Sequence, residues 1–406
     1  MVKAIKTLRG ILLSVTALLL AALIYGFYCV PDEIYTVSEK PANVNLIYTL
    51  TYDDESALSR SKDEKGRYKV NVSLFNIMPV KDSSLTVSER EYVAISGELF
   101  GLRLFTEGII IVGVDDVDTN HGKVSPAKDS GLQKGDIIEK INGFKVASCN
   151  QVSDIFEGSS GEKMKIEYVR NGKHFVTEFN LAFSESEGKY KAGIWIRDSA
   201  AGIGTMTFCD VNTSYFAGLG HGVCDIDTGD ILPVCDGDIV NATVNGCYKG
   251  KSGKAGELCG VFSSQSKGFL YENCATGVYG RFNGKKSYEK LCPVATVKEV
   301  SEGKAQIVST VDSGGPRYYD IEITKISKNN GHGKNMVIKV TDKTLIEKTG
   351  GIVQGMSGSP IVQNGMLVGA VTHVFINDPT QGYAIFADTM LSEMNKLKNS
   401  MLQKAS

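Results

Sequence analysis

Histidines and paired metal ligands are scarce in this chain, and their scarcity limits the chemistry it can perform. Only five histidines occur in 406 residues, and none belongs to a His-Glu-x-x-His pattern. The nine cysteines are widely spaced and form no paired ligand motif, so we expect no zinc site and no other cofactor. The net charge of −2 gives no electrostatic basis for nucleic-acid binding. Disulfides and free thiols both remain open for these cysteines.

The N-terminus carries a membrane-targeting signal. Lys3, Lys6 and Arg9 precede an uncharged, mostly apolar run over 11–30. This run is long enough to cross a bilayer as a helix, and the basic flank predicts that the N-terminus stays inside. A cleaved signal peptide is the alternative, but no small-x-small cleavage site precedes Pro31. The sequence favours an uncleaved signal anchor and an exported remainder.

A glycine- and serine-rich turn precedes an apolar strand near the C-terminus. It reads Gly-Met-Ser-Gly-Ser-Pro over 355–360. Small residues let the backbone turn sharply and let a substrate carbonyl approach main-chain N–H groups. The pattern is similar to that of trypsin-like peptidases and makes Ser357, rather than Ser359, the nucleophile. The N–H groups of Gly355 and Ser357 would then form the oxyanion hole. A plain turn between strands is the alternative.

A serine nucleophile needs a base, and histidine is the usual one. His121 and His332 lie in polar, glycine-containing stretches, and His174 follows an Asn-Gly hairpin turn. His221 and His373 are the two histidines in apolar, strand-like surroundings. We therefore expect His221 to be the general base. His373 is expected to line a specificity pocket, with a buried structural histidine as the alternative.

Residues 98–185 resemble a PDZ domain. A Gly-Asp-Ile-Ile turn and strand over 135–138 leads to an Asn-Gly hairpin at 142–143, and a helix is expected over 148–157. PDZ domains bind an extended peptide as an added strand. The resemblance makes the carboxylate-binding loop the stretch Leu99, Phe100, Gly101 and Leu102.

The remaining stretches complete a mainly β chain of four parts. Short alternating strands separated by turns follow residue 190, which favours barrels or sandwiches, and 388–404 predicts an amphipathic helix docked on the barrel. The expected parts are a stub and anchor at 1–30, a spacer with a strand region at 31–97, the PDZ domain at 98–185, and a trypsin-like double-barrel peptidase domain at 186–406.

The order of anchor, PDZ domain and peptidase resembles the stage IV sporulation protein B peptidases. The motifs that carry it are Gly-Ile-Gly-Thr-Met-Thr-Phe over 202–208, Gly-Leu-Gly-His over 218–221, Thr-Asp at 341–342 and the turn at 355–360. The resemblance implies a triad of His221, Asp342 and Ser357. Because Asp342 lies close to Ser357 in sequence, Asp225, Asp227 and Asp320 remain alternative acids.

The resemblance also implies a cellular role. Members are made in the forespore, stay anchored in its membrane and face the intermembrane space. There they cleave themselves and the ectodomain of a membrane regulatory protein, which releases an intramembrane metalloprotease that activates a late mother-cell sigma factor. Two other functions stay open: a PDZ-based binding protein with an inactive peptidase domain, and an exported quality-control protease. The quality-control proteases place the peptidase before the PDZ domain, which is the reverse of the order expected here.

Overall fold

The computed structural model describes residues 2–30, 33–36, 48–51, 67–87, 90–284, 290–327 and 333–405. The chain divides into two units, Met1–Glu91 and Tyr92–Ser406. In the first unit the apolar run forms helix α1 (Val2–Cys29). Its stretch Ile5–Tyr28 has a mean hydropathy of 2.3 and is long and apolar enough to cross a membrane. Length and composition therefore agree with the expected anchor, and a signal sequence passes the same test.

A small sheet occupies part of the region that the sequence assigned to a spacer. Its strands run in the order β1-β4-β3-β2, and β1 is parallel to β4. The strands are β1 (Glu33–Thr36), β2 (Tyr48–Thr51), β3 (Arg67–Leu74) and β4 (Met78–Val87). Val70, Val72 and Leu74 of β3 are buried. The single strand expected over 69–80 is instead two strands joined by a turn, and the polar stretch 53–66 lies outside the described residues.

The second unit contains most of the β structure. Its strands are β5 (Tyr92–Ile95), β6 (Leu99–Val114), β7 (Val117–Thr119), β8 (Gly122–Val124), β9 (Ile137–Ile141), β10 (Phe144–Lys145), β11 (Lys163–Arg170), β12 (Lys173–Asn180), β13 (Ala182–Ser184), β14 (Lys189–Lys191), β15 (Ile194–Cys209), β16 (Tyr215–Gly218), β17 (Val234–Tyr248), β18 (Glu257–Cys274), β19 (Gly277–Phe282), β20 (Cys292–Pro293), β21 (Gly303–Ser309), β22 (Arg317–Ile326), β23 (Met336–Val340), β24 (Pro360–Gln363), β25 (Met366–Phe375) and β26 (Asp378–Phe386). Its helices are α2 (Pro126–Asp129), α3 (Cys149–Glu157), α4 (Lys343–Thr349) and α5 (Ala387–Ala405).

Six of these strands form a first barrel. They pair in the order β6-β17-β18-β19-β16-β15, and β15 pairs again with β6, which closes the circuit. Every pairing is antiparallel. Phe100, Leu104, Phe216 and Val278 are buried together inside this half of the unit. Alternate residues of β6 (Phe100, Leu102 and Leu104) belong to this core, whereas β16 is buried along its whole length.

A second barrel closes in the order β21-β22-β23-β26-β25-β24. Ile307, Ile338, Ile361 and Val371 are fully buried in its core. Helix α5 packs against both barrels, on β16 and β19 of the first and β25 and β26 of the second, with Met390, Leu391, Met394 and Leu397 buried. The expected amphipathic C-terminal helix and the mainly β, double-barrel fold are therefore confirmed.

The PDZ elements are inserted into the first barrel rather than preceding it. The first half of β6 (99–106) belongs to the barrel, whereas its second half pairs with β9 of the PDZ part through Ile109 and Ile110. The chain returns along β15, which pairs with both halves of β6 in turn. Residue 98 directly precedes β6, so the range expected for the PDZ domain includes a strand whose first half belongs to the barrel, and residue 186 lies in the turn between β13 and β14.

The proposed carboxylate-binding loop over Leu99–Leu102 is wrong. These residues are a barrel strand whose two edges are both paired: Gly101 lies opposite Ile203 of β15 and Val240 of β17. Phe100 and Leu102 point into the core. No edge is left on which a peptide could add, since both rows of backbone hydrogen bonds are used.

Other sequence predictions have mixed outcomes. The helix expected over 148–157 is confirmed as α3, and β11 and β12 form a hairpin. Not every apolar stretch after residue 190 is a strand: Ile231 and Val294 make only isolated bridges. The eight cysteines from Cys149 to Cys292 are free thiols.

Gly101 offers a test of its place in the barrel. A Cβ atom there would lie 2.5 Å from Phe262 Cδ1 and 2.8 Å from Val240 Cγ2. Gly101→Ala should therefore lower the free energy of unfolding by about 1–3 kcal/mol, measured by denaturant titration. Gly202→Ala is the matched control, because nothing lies within 4 Å of its Cβ position. Equal stabilities for the two variants would contradict the barrel placement.

Candidate active site

The serine turn is built by two glycines and a contact from the other barrel. Gly355 and Gly358 have φ angles of +96° and +92°, a region that L side chains rarely adopt. A Cβ on Gly358 would lie 1.9 Å from the carbonyl oxygen of Thr205. The buried side chain of Met356 anchors the turn in the second barrel. The turn therefore lies against β15, where the two barrels meet.

Thr205 holds the turn from the first barrel. Its N–H donates to the carbonyl of Ser357 at 2.8 Å, and its Oγ1 donates to the carbonyl of Gly355 at 2.7 Å. With both carbonyls held in this way, the orientation of the intervening peptide units is fixed. The N–H groups of Gly355 and Ser357 donate no hydrogen bond to any residue that the structure describes. They are available as the pair of donors that an oxyanion hole requires.

The two serines of the turn have different surroundings. Ser357 is partly exposed, and its Oγ donates to the carbonyl of Thr372 at 2.7 Å. Ser359 is fully buried, and its Oγ donates to Ser309 Oγ at 2.9 Å. Only Ser357 can reach a substrate without rearrangement of the core.

His221 faces the turn from the first barrel. It follows β16 after Leu219 and Gly220, which both have positive φ angles, +64° and +70°. Its Nδ1 lies 2.8 Å from the carbonyl oxygen of Gly222. A carbonyl can only accept, so Nδ1 carries the proton and Nε2 keeps a free lone pair. The ring is thus in the tautomer that a general base needs.

His373 brings the two halves of the site together. Its ring centroid lies 4.7 Å from that of His221, with the planes tilted by 36°. The preceding residue, Thr372, accepts the Ser357 hydrogen bond. One dipeptide on β25 therefore contacts both the serine and the histidine. Ser357 and His221 themselves are not hydrogen-bonded to each other in this conformation.

Both histidines are held neutral. Burial lowers the pKa of His221, although the bond to Gly222 opposes this effect. Partial desolvation, the neighbouring His221 ring and the Lys334 ammonium lower the pKa of His373 to about 4. Burial of the ring thus lowers the pKa of His221 and keeps it in the neutral form that can accept a proton.

The structure does not bring the expected acid to His221. Asp342 is the N-cap of α4, and its Oδ1 accepts the Leu345 N–H at 2.9 Å. Gly333, at the start of the segment that leads into β23, lies beside Gly220, whereas Asp342 follows the far end of β23. Strand β23 is five residues long, so its two ends lie roughly 13 Å apart at about 3.3 Å per residue. The carboxylate of Asp342 therefore caps a helix rather than orienting the imidazole.

The alternative acids are engaged elsewhere. Asp225 and Asp227 both pair with Arg197, and Asp320 accepts from Gln306 Nε2 at 2.8 Å. The acceptor for His221 Nδ1 is instead the backbone carbonyl of Gly222. A backbone acceptor has no side-chain signature, so the sequence analysis could not identify it.

Two of the remaining histidines, His121 and His174, take no part in this site. His121 lies in the exposed turn between β7 and β8, and exposed His174 contacts Glu139 Oε2 at 3.0 Å. His332 lies outside the described residues. Thr205 and Thr372 were missed as positioning residues, although Thr205 falls within the Gly-Thr-Met-Thr motif noted at 204–207.

A peptide-sized groove lies elsewhere on the PDZ part. A cavity of about 310 Å³ separates α3 from the start of β15 and is lined by Val152 and Phe156 on the helix and by Ile194, Trp195 and Ile196 on the strand. Over these strand residues β15 pairs with β6 on one edge only, within the described part of the chain. An open strand edge beside a helix is the geometry that PDZ domains use to add a peptide strand.

Two antiparallel six-stranded barrels with a serine turn and a histidine between them have the architecture of double-barrel serine peptidases. Residues 188–391 match the family model of the SpoIVB peptidase S55, and residues 110–170 match a PDZ domain model. The chain belongs to the SpoIVB peptidase S55 family and carries a PDZ domain.

Curated relatives match only short stretches. The putative zinc metalloprotease LL2128 of Lactococcus lactis is 38% identical over 72 residues, which are 18% of this chain and 16% of that protein. The zinc metalloprotease RasP of Shouchella clausii is 37% identical over 62 residues, 15% of each chain. The chain thus spans about a sixth of the length of the curated relatives it matches.

Solved structures resemble parts of the chain. The PDZ domain of the SdrC-like protein from Listeria monocytogenes has 24% identity and a TM-score of 0.19, covering 22% of this chain and 87% of its own. The inactive form of the Rv3671c protease has 11% identity and a TM-score of 0.28, covering 48% of this chain and 83% of its own. The active form of that protease from M. tuberculosis has 12% identity and a TM-score of 0.28, covering 48% and 73%.

The pKa of His373 predicts a pH dependence of stability. The folded state holds this ring neutral down to about pH 4, whereas the unfolded chain protonates it below 6.5. The unfolded state therefore binds more protons between these values, so stability is lost as pH falls through this window. His373→Gln should reduce the fall in Tm between pH 6.5 and pH 4, measured by thermal unfolding. An equal fall in both proteins would contradict the assignment.

Proposed function

We propose that the chain is an exported, membrane-anchored serine endopeptidase in which Ser357 attacks and His221 is the general base. The observation that carries the proposal is the meeting of Ser357 and His221 at the Thr372–His373 dipeptide, between the two barrels. Membership in the SpoIVB peptidase S55 family supports it.

The geometry supports a sequence of steps. In the resting state the Ser357 hydroxyl donates to the carbonyl of Thr372. For attack the hydroxyl must rotate about χ1 and give its proton to Nε2 of His221, while Oγ bonds to the substrate carbonyl carbon. The carbonyl of Thr372 then becomes free to accept a main-chain N–H of the substrate. The oxyanion of the tetrahedral intermediate then accepts hydrogen bonds from the N–H groups of Gly355 and Ser357.

The finer role follows the family. We propose that the enzyme cleaves itself and the ectodomain of a membrane regulatory protein during sporulation. It would act from the forespore membrane, in the intermembrane space, and trigger intramembrane proteolytic activation of the late mother-cell sigma factor. The groove between α3 and β15 would bind an extended segment of a protein partner. Helix α1 supports the anchored location by its length and hydropathy.

A second function has one observation in its favour. Ser357 is not bonded to His221, and no carboxylate contacts that ring among the described residues, which is how an inactive peptidase domain serving PDZ-based binding could look. Activity distinguishes the two functions directly.

Mass spectrometry of the purified protein beside Ser357→Ala tests the proposal. Wild type should accumulate self-cleavage products that Ser357→Ala and His221→Ala lack. Ser359→Ala is the matched control: it removes a buried hydrogen bond at a cost of about 1–3 kcal/mol but keeps the nucleophile, so cleavage persists. A wild-type protein that stays intact would support the binding function. Full activity in Ser357→Ala would place the nucleophile at another residue.

Asp342 needs its own test, because the family assigns it to the triad whereas its contacts are those of a helix cap. Asparagine also caps helices, so Asp342→Asn should retain turnover within about tenfold and Asp342→Ala should cost about 1 kcal/mol of stability. A triad acid would instead lose roughly four orders of magnitude in kcat with asparagine. Steady-state kinetics of the two folded variants decide between these roles.

A further inference from the structure

The backbone that orients His221 is held by side chains from elsewhere in the first barrel. The acceptor for Nδ1 is the carbonyl of Gly222, and the next residue, Val223, is clamped on both its polar groups by Asn273. Asn273 Oδ1 accepts the Val223 N–H at 2.8 Å, and Nδ2 donates to the Val223 carbonyl at 2.8 Å. The orientation of the base therefore depends on where this segment lies.

A buried aspartate fixes the turn that follows. Asp225 is 3% exposed, and its Oδ1 accepts the N–H groups of Asp227 at 2.9 Å and Thr228 at 2.8 Å. The turn closes with the Asp225 N–H donated to the carbonyl of Asp230 at 2.9 Å. Such a buried carboxylate needs a cation, because an unpaired charge in this position is strongly unfavourable.

Arg197 supplies that cation from β15. Its Nη1 donates to the second carboxylate oxygen of Asp225, and its Nη2 donates to Asp227 Oδ2 at 2.8 Å. The forked guanidinium thus holds both aspartates at once, which lysine cannot do in the same geometry. Arg197 is four residues beyond Gly193, directly after the strand residues that line the peptide groove.

The next residue contacts the groove helix. Asp198 Oδ2 accepts the N–H of Cys149, the first residue of α3, at 2.7 Å. Arg197 and Asp198 lie where the pairing of β15 with β6 shifts register, and their side chains reach two different partners. One partner is the turn after His221, and the other is the helix that forms the far wall of the groove. Further along, Thr205 of the same strand holds the serine turn.

We propose that Arg197 is a positioning residue for His221 and that it ties the position of this base to the strand lining the peptide groove. The inference rests on the proposed function and names a regulation of the same site. A peptide added to the open edge of β15 at Ile194–Ile196 acts on the strand that carries Arg197. A displacement of that strand would move Arg197 and the Asp225–Asp227 turn bound to it. Movement of the turn would displace the Gly222 carbonyl and, with it, the imidazole.

The first test compares two arginines that pair with buried aspartates. Arg170 contacts fully buried Asp136 through Nε at 2.6 Å and Nη2 at 2.7 Å, but has no contact with the residues after His221. On a short fluorogenic peptide that copies the self-cleavage site, Arg197→Gln should lower kcat about tenfold or more with KM nearly unchanged. Arg197→Lys should lie between Arg197→Gln and wild type. Arg170→Gln should retain kcat within about twofold.

Equal kcat values for Arg197→Gln and Arg170→Gln would overturn the inference. Circular dichroism and thermal unfolding of each full-length variant in detergent establish that the comparison is between folded proteins. If Arg197→Gln does not fold, Arg197→Lys, which keeps the charge but loses the fork, carries the kinetic comparison with wild type.

A second measurement needs no catalysis. In the Ser357→Ala background, ¹³C-labelled histidine gives five imidazole signals, and His221→Gln assigns the one of interest. The His373 ring packs against this ring, Lys334 acts on His373, and the Cys224 thiol contacts the same Gly222 carbonyl at 3.9 Å; Arg197→Gln replaces none of these groups. Arg197→Gln should loosen the turn, admit water and raise the titration midpoint of His221, since burial is the main cause of its lowered pKa.

The outcomes separate the two proposals. If Arg197→Gln shifts the titration midpoint of His221 but the wild-type protein cleaves nothing, then Arg197 positions the ring and the proposed function is wrong. An active wild type in which Arg197→Gln changes neither kcat nor the midpoint means that the function holds and the positioning role is wrong.

The link to the groove is tested by a double-mutant cycle. Ser153 lines the cavity from α3, and Ser153→Phe fills it. We expect this change to alter kcat by about threefold or more in wild type, and by much less when Arg197 is replaced by Gln. Trp195 is the chain's single tryptophan, so its fluorescence reports whether the groove is filled in both backgrounds. Additive effects on kcat would show that the groove and the base are independent.

Discussion

Two hydrogen bonds from Thr205 to the serine turn are the constraint on which the site depends. They join the N–H and Oγ1 of one residue in the first barrel to the carbonyls of Ser357 and Gly355 in the second. Without them the turn would lack the fixed carbonyl orientation that leaves its two N–H groups unpaired. The positive φ angles of Gly355 and Gly358 suit glycine, and the missing side chains are needed as well: a Cβ on Gly358 would collide with the Thr205 carbonyl of β15, and one on Gly355 would crowd Leu258 of β18.

The same strand organises the rest of the unit. β15 leaves the PDZ part at Ile194, contacts the groove helix through Asp198 and the base turn through Arg197, and ends beside the serine turn. The PDZ elements are inserted between β6 and β15, so the chain leaves the barrel along β6 and returns along β15, which pairs with β6. The PDZ part and the first barrel therefore share these two strands. A module placed before or after the peptidase domain would have only a linker in common with it.

Local patterns predicted the parts of this molecule that depend on neighbouring residues. The Asn-Gly hairpins at 142–143 and 171–172, the capped helix α3 and the amphipathic C-terminal helix each follow from a few adjacent side chains. The glycine-flanked Ser357 and the apolar surroundings of His221 could also be recognised from the sequence. The contact between His221 and His373 could not be predicted, because it depends on how the two barrels face each other.

Leu99–Leu102 and Asp342 are the places where the contacts in the structure differ from the roles expected from the sequence. An apolar stretch with one glycine is equally suited to a carboxylate-binding loop and to a barrel strand, and only long-range pairing with β15 and β17 decides between them. Asp342 precedes Lys-Thr-Leu at a helix start, and an aspartate at that position is a common N-cap. The resemblance to a triad acid outweighed this local signal in the sequence analysis.

The central claim is that Ser357, activated by a neutral His221, is the nucleophile. Reaction of the full-length protein with a fluorophosphonate, followed by peptide mapping, measures this most directly. The account predicts a single covalent adduct on Ser357 whose rate of formation falls as His221 becomes protonated, at a pH below the ordinary histidine range. An adduct on Ser359, or an unlabelled folded protein at neutral pH, would contradict it.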